Sequence, residues 1–174
     1  IYSEFFHRMS DNPCRTCDGS CCTQYHVPIT HYDLKKLTEK VDMISDYIDF
    51  IPIADIQCDY QDIRFAEGYF YLILRRNEDG SCIFSHEKHN QISCSIHGNH
   101  PVLCKGYPIN PKTKKIRKKN KCKQFKGEFD IADETLNLEI ENAKKYNKIV
   151  CDWNKKVDPG KSRDEFIKML LEVD

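Results

Sequence analysis

Hydrophobic and polar positions fall into two regimes, a β-rich middle broken by turns and a helical last third. From Thr30 the spacing is helical. Leu34, Leu37 and Val41 recur every three to four residues behind Thr30-His31-Tyr32-Asp33, a Thr-x-x-acid helix start. A second short helix is predicted from Ser45 to Phe50, closed before Pro52 because a residue preceding proline is pushed out of the helical region. Tyr69 to Leu74 is a run of aromatic and branched residues that reads as a strand, and Asn77-Glu78-Asp79-Gly80 after it is a turn signal. The pair predicts a hairpin whose return strand, Cys82-Ile83-Phe84, presents Cys82 near the tip. Ser85 to Gln91 reads as a polar loop, and Ile92 to Ile96 as a short extended piece carrying Cys94. Two prolines in Tyr107-Pro108-Ile109-Asn110-Pro111 remove backbone donors and exclude an interior helix there.

In the last third, Leu136, Ile140, Ala143, Tyr146, Val150, Trp153 and Val157 keep a helical period, with Asp133 as the candidate cap. Pro159-Gly160 ends that helix, and Ser162 with Glu165 forms a capping box for a final one burying Phe166, Met169, Leu170 and Val173. The expected fold is α+β, one small domain over residues 1–174 with short β-hairpins, C-terminal helices and irregular cysteine-rich metal-binding loops. Its core would come from the C-terminal helices and those of Thr30 to Phe50. No repeat or low-complexity segment interrupts it.

A chain of 174 residues buries about 68 to 70% of its unfolded surface, so it need not owe all its stability to metal. Its 27 basic residues balance 27 acidic ones, and any preference for nucleic acid or an anionic membrane must therefore be local. Asp42, Asp46, Asp49, Asp55, Asp59 and Asp62 read as a solvated acidic face. Lys112, Lys114, Lys115, Arg117, Lys118, Lys119, Lys121, Lys123 and Lys126 put nine positive charges in fifteen residues around Cys122. A solvated hairpin is the plain reading of that run, and phosphate contact is the functional one. Phe125 is its one stacking partner, so base-specific recognition has no support. Nearby cations would also lower thiolate pKa and raise the potential of a metal cluster. No run approaches the roughly 18 apolar residues of a membrane helix, and no membrane partner is expected.

Cysteine changes the picture most. Cys14-Arg-Thr-Cys17-Asp-Gly-Ser-Cys21-Cys22 puts four thiols in nine residues, a density that suits a metal site better than a disulfide framework. No apolar signal segment opens the sequence given, which starts at Ile1, and the expectation is a reduced, cytoplasmic metal-binding protein. Cys14 and Cys17 form a Cys-x-x-Cys knuckle whose gap lets both sulfurs face one centre. Adjacent side chains diverge in a regular backbone, so Cys21 and Cys22 are expected to serve two sites or two parts of one. Asp18-Gly19-Ser20 is turn chemistry in which Gly19 can take positive φ. Cys82, Cys94, Cys104 and Cys122 fall in irregular or hairpin segments able to aim a thiolate, which brings the candidate ligands to eight. Eight thiols divide into two four-cysteine sites or one polynuclear centre. Cys151, between Val150 and Trp153, reads as a packed small hydrophobe, and Cys58 as a buried inert thiol.

The first loop, then Cys82, then Cys94-Ser-Ile-His-Gly-Asn-His-Pro101-Val-Leu-Cys104-Lys-Gly-Tyr107-Pro108, resembles the YkgJ-type cysteine-cluster family of zinc- or iron-chelating domains. The same region is similar to the cysteine region of flagellin lysine methylases. The resemblance covers residues 14 to 122 and rests on the cysteine doublet and the string Cys-x-Ile-x-x-x-x-Pro-x-x-Cys-x-x-Tyr-Pro. Where the family commonly has Tyr-x-x-Arg-Pro this chain has His97-Gly98-Asn99-His100-Pro101. An Arg-dependent anion contact is therefore not carried over, and its place falls to His100. Membership implies metal or iron-sulfur binding and no particular reaction.

Thiolate-only sites suit zinc or iron-sulfur clusters. Zinc would take four cysteines, or three cysteines and His97, which lies three residues beyond Cys94. Zinc ribbons pair two knuckles, and only one is visible here. Cluster ligands tolerate scattered positions, because each cysteine meets its own iron, so the spacing favours one or two iron-sulfur clusters with zinc as the alternative. His86 and His89 share the polar loop and read as solvated or adventitious metal donors. The functional expectation is an iron-sulfur protein in electron transfer or metal-centre maturation, acting with a redox or client protein. The alternatives are a zinc module docking an anionic partner through residues 112–126, and a metal-dependent methyltransferase-like enzyme by family analogy alone. No Gly-rich nucleotide loop follows a strand and no Ser-His-Asp order stands out, so an enzyme would have to use the metal itself.

Overall fold

The computed structural model describes residues 19–88, 91–117, 122, 131–156 and 161–173. In chain order the elements are α1 (Ser20–Gln24), α2 (His31–Thr38), β1 (Ile48–Pro52), β2 (Ile63–Phe65), β3 (Gly68–Leu74), β4 (Ser85–Lys88), β5 (Gln91–Cys94), α3 (Val102–Gly106), β6 (Ile109–Asn110), β7 (Lys115–Ile116), α4 (Asp133–Lys155) and α5 (Arg163–Glu172). Short antiparallel strands with helices at the C-terminal end make this the expected α+β arrangement.

The aromatic and branched run forms β3, the centre of an antiparallel sheet in the order β1-β3-β2. Ile48 pairs with Leu74 and Ile63 with Phe70. Beyond β2 the same edge of β3 is taken up by Val27 to Ile29, where Ile29 N–H donates to the Leu72 carbonyl and Leu74 N–H to that of Val27. Phe65 meets Phe50, Phe70, Trp153 and Phe166 at centroid separations of 5.2 to 6.2 Å, mostly edge to face, the preferred geometry of aromatic rings. This cluster joins the sheet to α4 and α5.

Two expected elements turned out differently. The segment from Ser45 to Phe50 is not a helix, because Ile44–Asp46 makes a single 3-10 turn and Ile48–Pro52 becomes β1. Its five residues each find a partner on β3, and Pro52 is tolerated at the end of an edge strand. The expected hairpin partner of β3 is reduced to an isolated bridge between Arg76 and Cys82, with Ile83 N–H donating to the Arg75 carbonyl. The polar loop is itself a hairpin, β4 paired with β5. In α4 the N-cap is Ala132 and not Asp133, which lies in the first turn and pairs with Lys114 at 2.6 Å. Val157 lies outside the described residues. The capping boxes at Thr30 and Ser162 are both formed, and of the α5 positions Phe166 and Leu170 are fully buried.

Asp33 does more than close α2. Its Oδ2 accepts from Thr30 N–H and the Thr30 hydroxyl, each at 2.9 Å, and its Oδ1 accepts from Val102 N–H at 2.9 Å, at the first residue of α3. One buried carboxylate thus caps two helices. α3 packs on α4 at Gly106, where a Cβ would stand 2.6 Å from Glu139 Oε2. Glu139 is buried on α4, with Oε1 accepting from Arg117 Nη2 at 2.7 Å and Oε2 unpartnered. Burial pushes its carboxyl up to about 7, against the pull of Arg117.

Replacing Asp33 with Ala strands two buried backbone N–H groups, and urea denaturation should show a loss of about 3 kcal/mol. Glu139 carries a pH signature. Its folded pKa lies above the ordinary carboxyl value of 4.5, so its contribution is complete below that pH and is lost as pH rises through about 7. Glu139→Gln should therefore gain stability relative to the parent between those limits, by on the order of 3 kcal/mol, as read by denaturation at pH 4.5 and pH 7.5.

Candidate metal centre

The cysteine loop enters the described structure at Gly19, whose φ of +71° precedes the short helix α1 carrying Cys21 and Cys22. Only glycine fits, since a Cβ there would lie 2.3 Å from Ile92 Cβ. The loop is thus seated against the β4–β5 hairpin. A second tie comes from Cys82 N–H, which donates to the Cys22 carbonyl at 2.8 Å. Cys94 is the last residue of β5, opposite Ser85, and Cys104 sits at the middle of α3, two residues beyond the N–H that Asp33 holds.

Cys21, Cys22, Cys82, Cys94, Cys104 and Cys122 all line one cleft of about 1270 Å³. Five separate segments deliver them. Cys14 and Cys17, the remaining two of the eight candidates, lie outside the described residues. None of the eight described cysteines is in a disulfide. Cys151, on α4, does not line the cleft, and its thiol donates to Gln61 Oε1 at 3.8 Å. Cys58 does line the cleft; its sulfur accepts from Tyr60 N–H, and Asp59 and Arg117 are the charges that act on it. Burial pushes its thiol up to about 11.

Cys21 and Cys22, neighbours on α1, both line the cleft, and a side-chain hydrogen bond from Cys21 acts on the Cys22 thiol. That contact is the first cause raising the Cys22 pKa, followed by burial and by the charges of Cys21, Cys104 and Cys82. Burial raises Cys104 well above the usual thiol value, with Cys82, Cys21 and Cys94 adding to it. Cys94 and Cys82 are raised chiefly by burial, and Cys21 opposes the ionisation of both. The five thiols form one electrostatic unit. Among the described residues, however, no three His, Cys, Asp or Glu side chains converge as the ligand set of a single ion. A soft, all-sulfur donor set in a half-enclosed cleft fits zinc or iron and would reject hard cations.

The histidines divide. His97 and His100 line the cleft and stack at 5.1 Å between centroids. His97 N–H donates to the Cys94 carbonyl at 3.1 Å, closing a tight turn, and His97 Nε2 is buried without a protein partner. Burial lowers His100 to about 4, and its Nδ1 accepts from Gly98 N–H at 3.0 Å. His86 is exposed on β4, and His89 lies outside the described residues.

Of the basic run, Lys112, Lys114 and Lys115 are exposed, Lys114 pairs with Asp133, and Arg117 turns inward to Glu139. Lys118, Lys119, Lys121, Lys123 and Lys126 lie outside the described residues. The acidic face is as expected, exposed at all its positions except the half-buried Asp62. Glu139 is not among the residues the sequence singles out, yet it lines the cleft beside Arg117, which the sequence marks only as a member of the basic run. The available signal was Glu139 itself, a charged residue three after Leu136 and seven before Tyr146, inside the apolar stripe of α4.

Comparison with curated proteins and with solved structures found no match. A protein-family model described as "CxxCxxCC: Putative zinc- or iron-chelating domain" matches residues 13–127. Three residues, Asp18-Gly19-Ser20, stand here between the first pair and the doublet, where the family's name spells two. With more than half of its 174 residues inside that match, from the first knuckle to beyond Cys122, the chain belongs to the CxxCxxCC family.

Proposed function

We propose that the protein holds an iron-sulfur centre in the thiol cleft and serves electron transfer or metal-centre maturation. The observation that carries this reading is the delivery of six thiols from five segments into one cleft. A polynuclear centre uses such a set well, because each thiolate meets its own iron, whereas a single tetrahedral ion needs four donors around one position. Cys21, Cys22, Cys82, Cys94, Cys104 and Cys122 would hold the cluster, with Cys14 and Cys17 completing eight. A bound cluster supplies one-electron redox chemistry.

The chain's own groups prepare the site. Asp33 fixes the start of α3 and with it Cys104. Gly19 and the Cys82 amide fix α1 and with it the doublet. Tyr25 and Tyr107 meet edge to face at 5.6 Å and, with Leu74 and Phe84, give the cleft apolar wall that limits water beside the thiols. A zinc centre is the second reading, and one observation favours it: the tight turn from Cys94 to His97 supplies a second knuckle of the kind zinc sites use.

Anaerobically purified protein should be coloured and contain iron and acid-labile sulfide. Colourless protein holding zinc without iron or sulfide would overturn the iron-sulfur reading in favour of the second. Single Cys→Ser changes at positions 22, 82, 94 and 104 should each reduce bound metal at least several-fold, while Cys151→Ser keeps the parent stoichiometry, as counted by elemental analysis per folded chain.

A further inference from the structure

β5 ends at Cys94, and the chain reverses at once. The Cys94 carbonyl accepts from His97 N–H at 3.1 Å, so the two residues stand at the ends of one tight turn. A Cys-x-x-Cys knuckle uses the same backbone device to present two donors to one metal. The far side of the turn is pinned twice: Asn99 N–H donates to the Ile96 carbonyl at 2.8 Å, and Gly98, at φ +91°, donates its N–H to His100 Nδ1. The His97 ring is held by its stack on His100, at 26° between planes. Its Nε2 is buried and has no protein partner, in a cleft wall shared with Cys21, Cys22, Cys82, Cys94 and Cys104. A buried nitrogen left unpaired is costly, and a metal bond would satisfy it.

We infer that His97 is a nitrogen ligand of the thiol centre, binding its metal through Nε2 as the second arm of a Cys94-x-x-His97 knuckle. This rests on the metal-centre reading and holds for iron or zinc. The other cleft histidine with a buried unpartnered nitrogen, His26, is set apart because Arg76 and Asp55, and not the thiols, are the charges that act on it. A neutral imidazole in place of a thiolate removes one negative charge from the centre. In an iron-sulfur cluster that raises the reduction potential, and in a zinc site it brings the total charge closer to neutral.

X-ray absorption at the K edge of whichever metal the anaerobically purified chain contains tests the assignment. The parent protein should show a nitrogen shell with imidazole outer-shell scattering beside its sulfur shell. His97→Ala should lose the nitrogen shell and bind metal at least about tenfold more weakly. His97→Cys should keep the metal with sulfur alone, and this variant carries the test if His97→Ala fails to fold; His86→Ala should leave the spectrum unchanged. An all-sulfur spectrum in the parent, or a nitrogen shell that survives in both His97 variants, overturns the assignment while leaving the metal centre in place. Parent protein without iron or zinc overturns the centre and this ligand together.

Discussion

The Asp33 carboxylate ties the thiol cleft to the hydrophobic core. Its two oxygens accept three hydrogen bonds, two from Thr30 at the start of α2 and one from Val102 at the start of α3. Burial alone raises its pKa, and those hydrogen bonds pull the other way, as does Lys105. A negative group is well placed at a helix N-terminus, where unpaired N–H groups point outward, and here it serves two of them. α2 is anchored in turn by Leu34 and Leu37, both fully buried. The position of Cys104 is therefore inherited from the core through one side chain. The doublet inherits its place by another route, from Val27 to Ile29 along β3 and from the Cys82 amide on the Cys22 carbonyl. The two tethers converge on one cleft, so ligands far apart in sequence are brought together by the same sheet.

Having been gathered, the thiols oppose one another's ionisation. Burial and mutual proximity raise Cys22, Cys82, Cys94 and Cys104 together, so the bare cleft favours neutral S–H groups. A metal cation reverses that preference by compensating the thiolate charge, and each thiol that binds gives up its proton. On the proposed reading, metal capture in this cleft would be proton-coupled, and its driving force would grow with pH. The Arg117 guanidinium is engaged by the buried Glu139, and its charge lowers the Cys58 pKa. Among the described members of the basic run, Arg117 is the one that turns inward, and Glu139 engages it.

Features set by local sequence were legible before the structure. The Thr30 and Ser162 capping boxes, the strand at Gly68–Leu74 and the apolar stripe of α4 depend on residues three or four apart, or alternating, and each appears where the spacing put it. Features set by pairing across the chain were not. Ile48–Pro52 is a strand because β3 is beside it, and nothing within Ser45 to Phe50 announces that partner. The second role of Asp33 depends on Val102, sixty-nine residues away. At the site, cysteine identity alone singled out six thiols that line one cleft, since four thiols in nine residues mark a shared soft-donor site before any contact is known. Glu139 was hidden because a helical stripe is read by its apolar members, and the one charged residue within it was passed over.

Core and cleft share a wall, and that sharing decides what metal can do to the fold. Phe50, Phe65, Phe70, Trp153 and Phe166, the aromatic cluster between the sheet and the last two helices, do not line the cleft. Val27, Tyr60, Leu74, Cys82, Phe84 and Ile96 belong to both the core and the cleft lining. A ligand-bearing side that touched the core nowhere could lose its metal without consequence for the rest. A side built wholly from metal ligands would collapse with it, as zinc-finger peptides do. Here five of the six shared residues, all but Cys82, carry no thiol and are held by apolar packing in the core, while α1 and α3 are short helices that depend on the tethers at Cys82 and Asp33. On the proposed reading, metal binding energy would act first on those two helices and reach the sheet through that common wall.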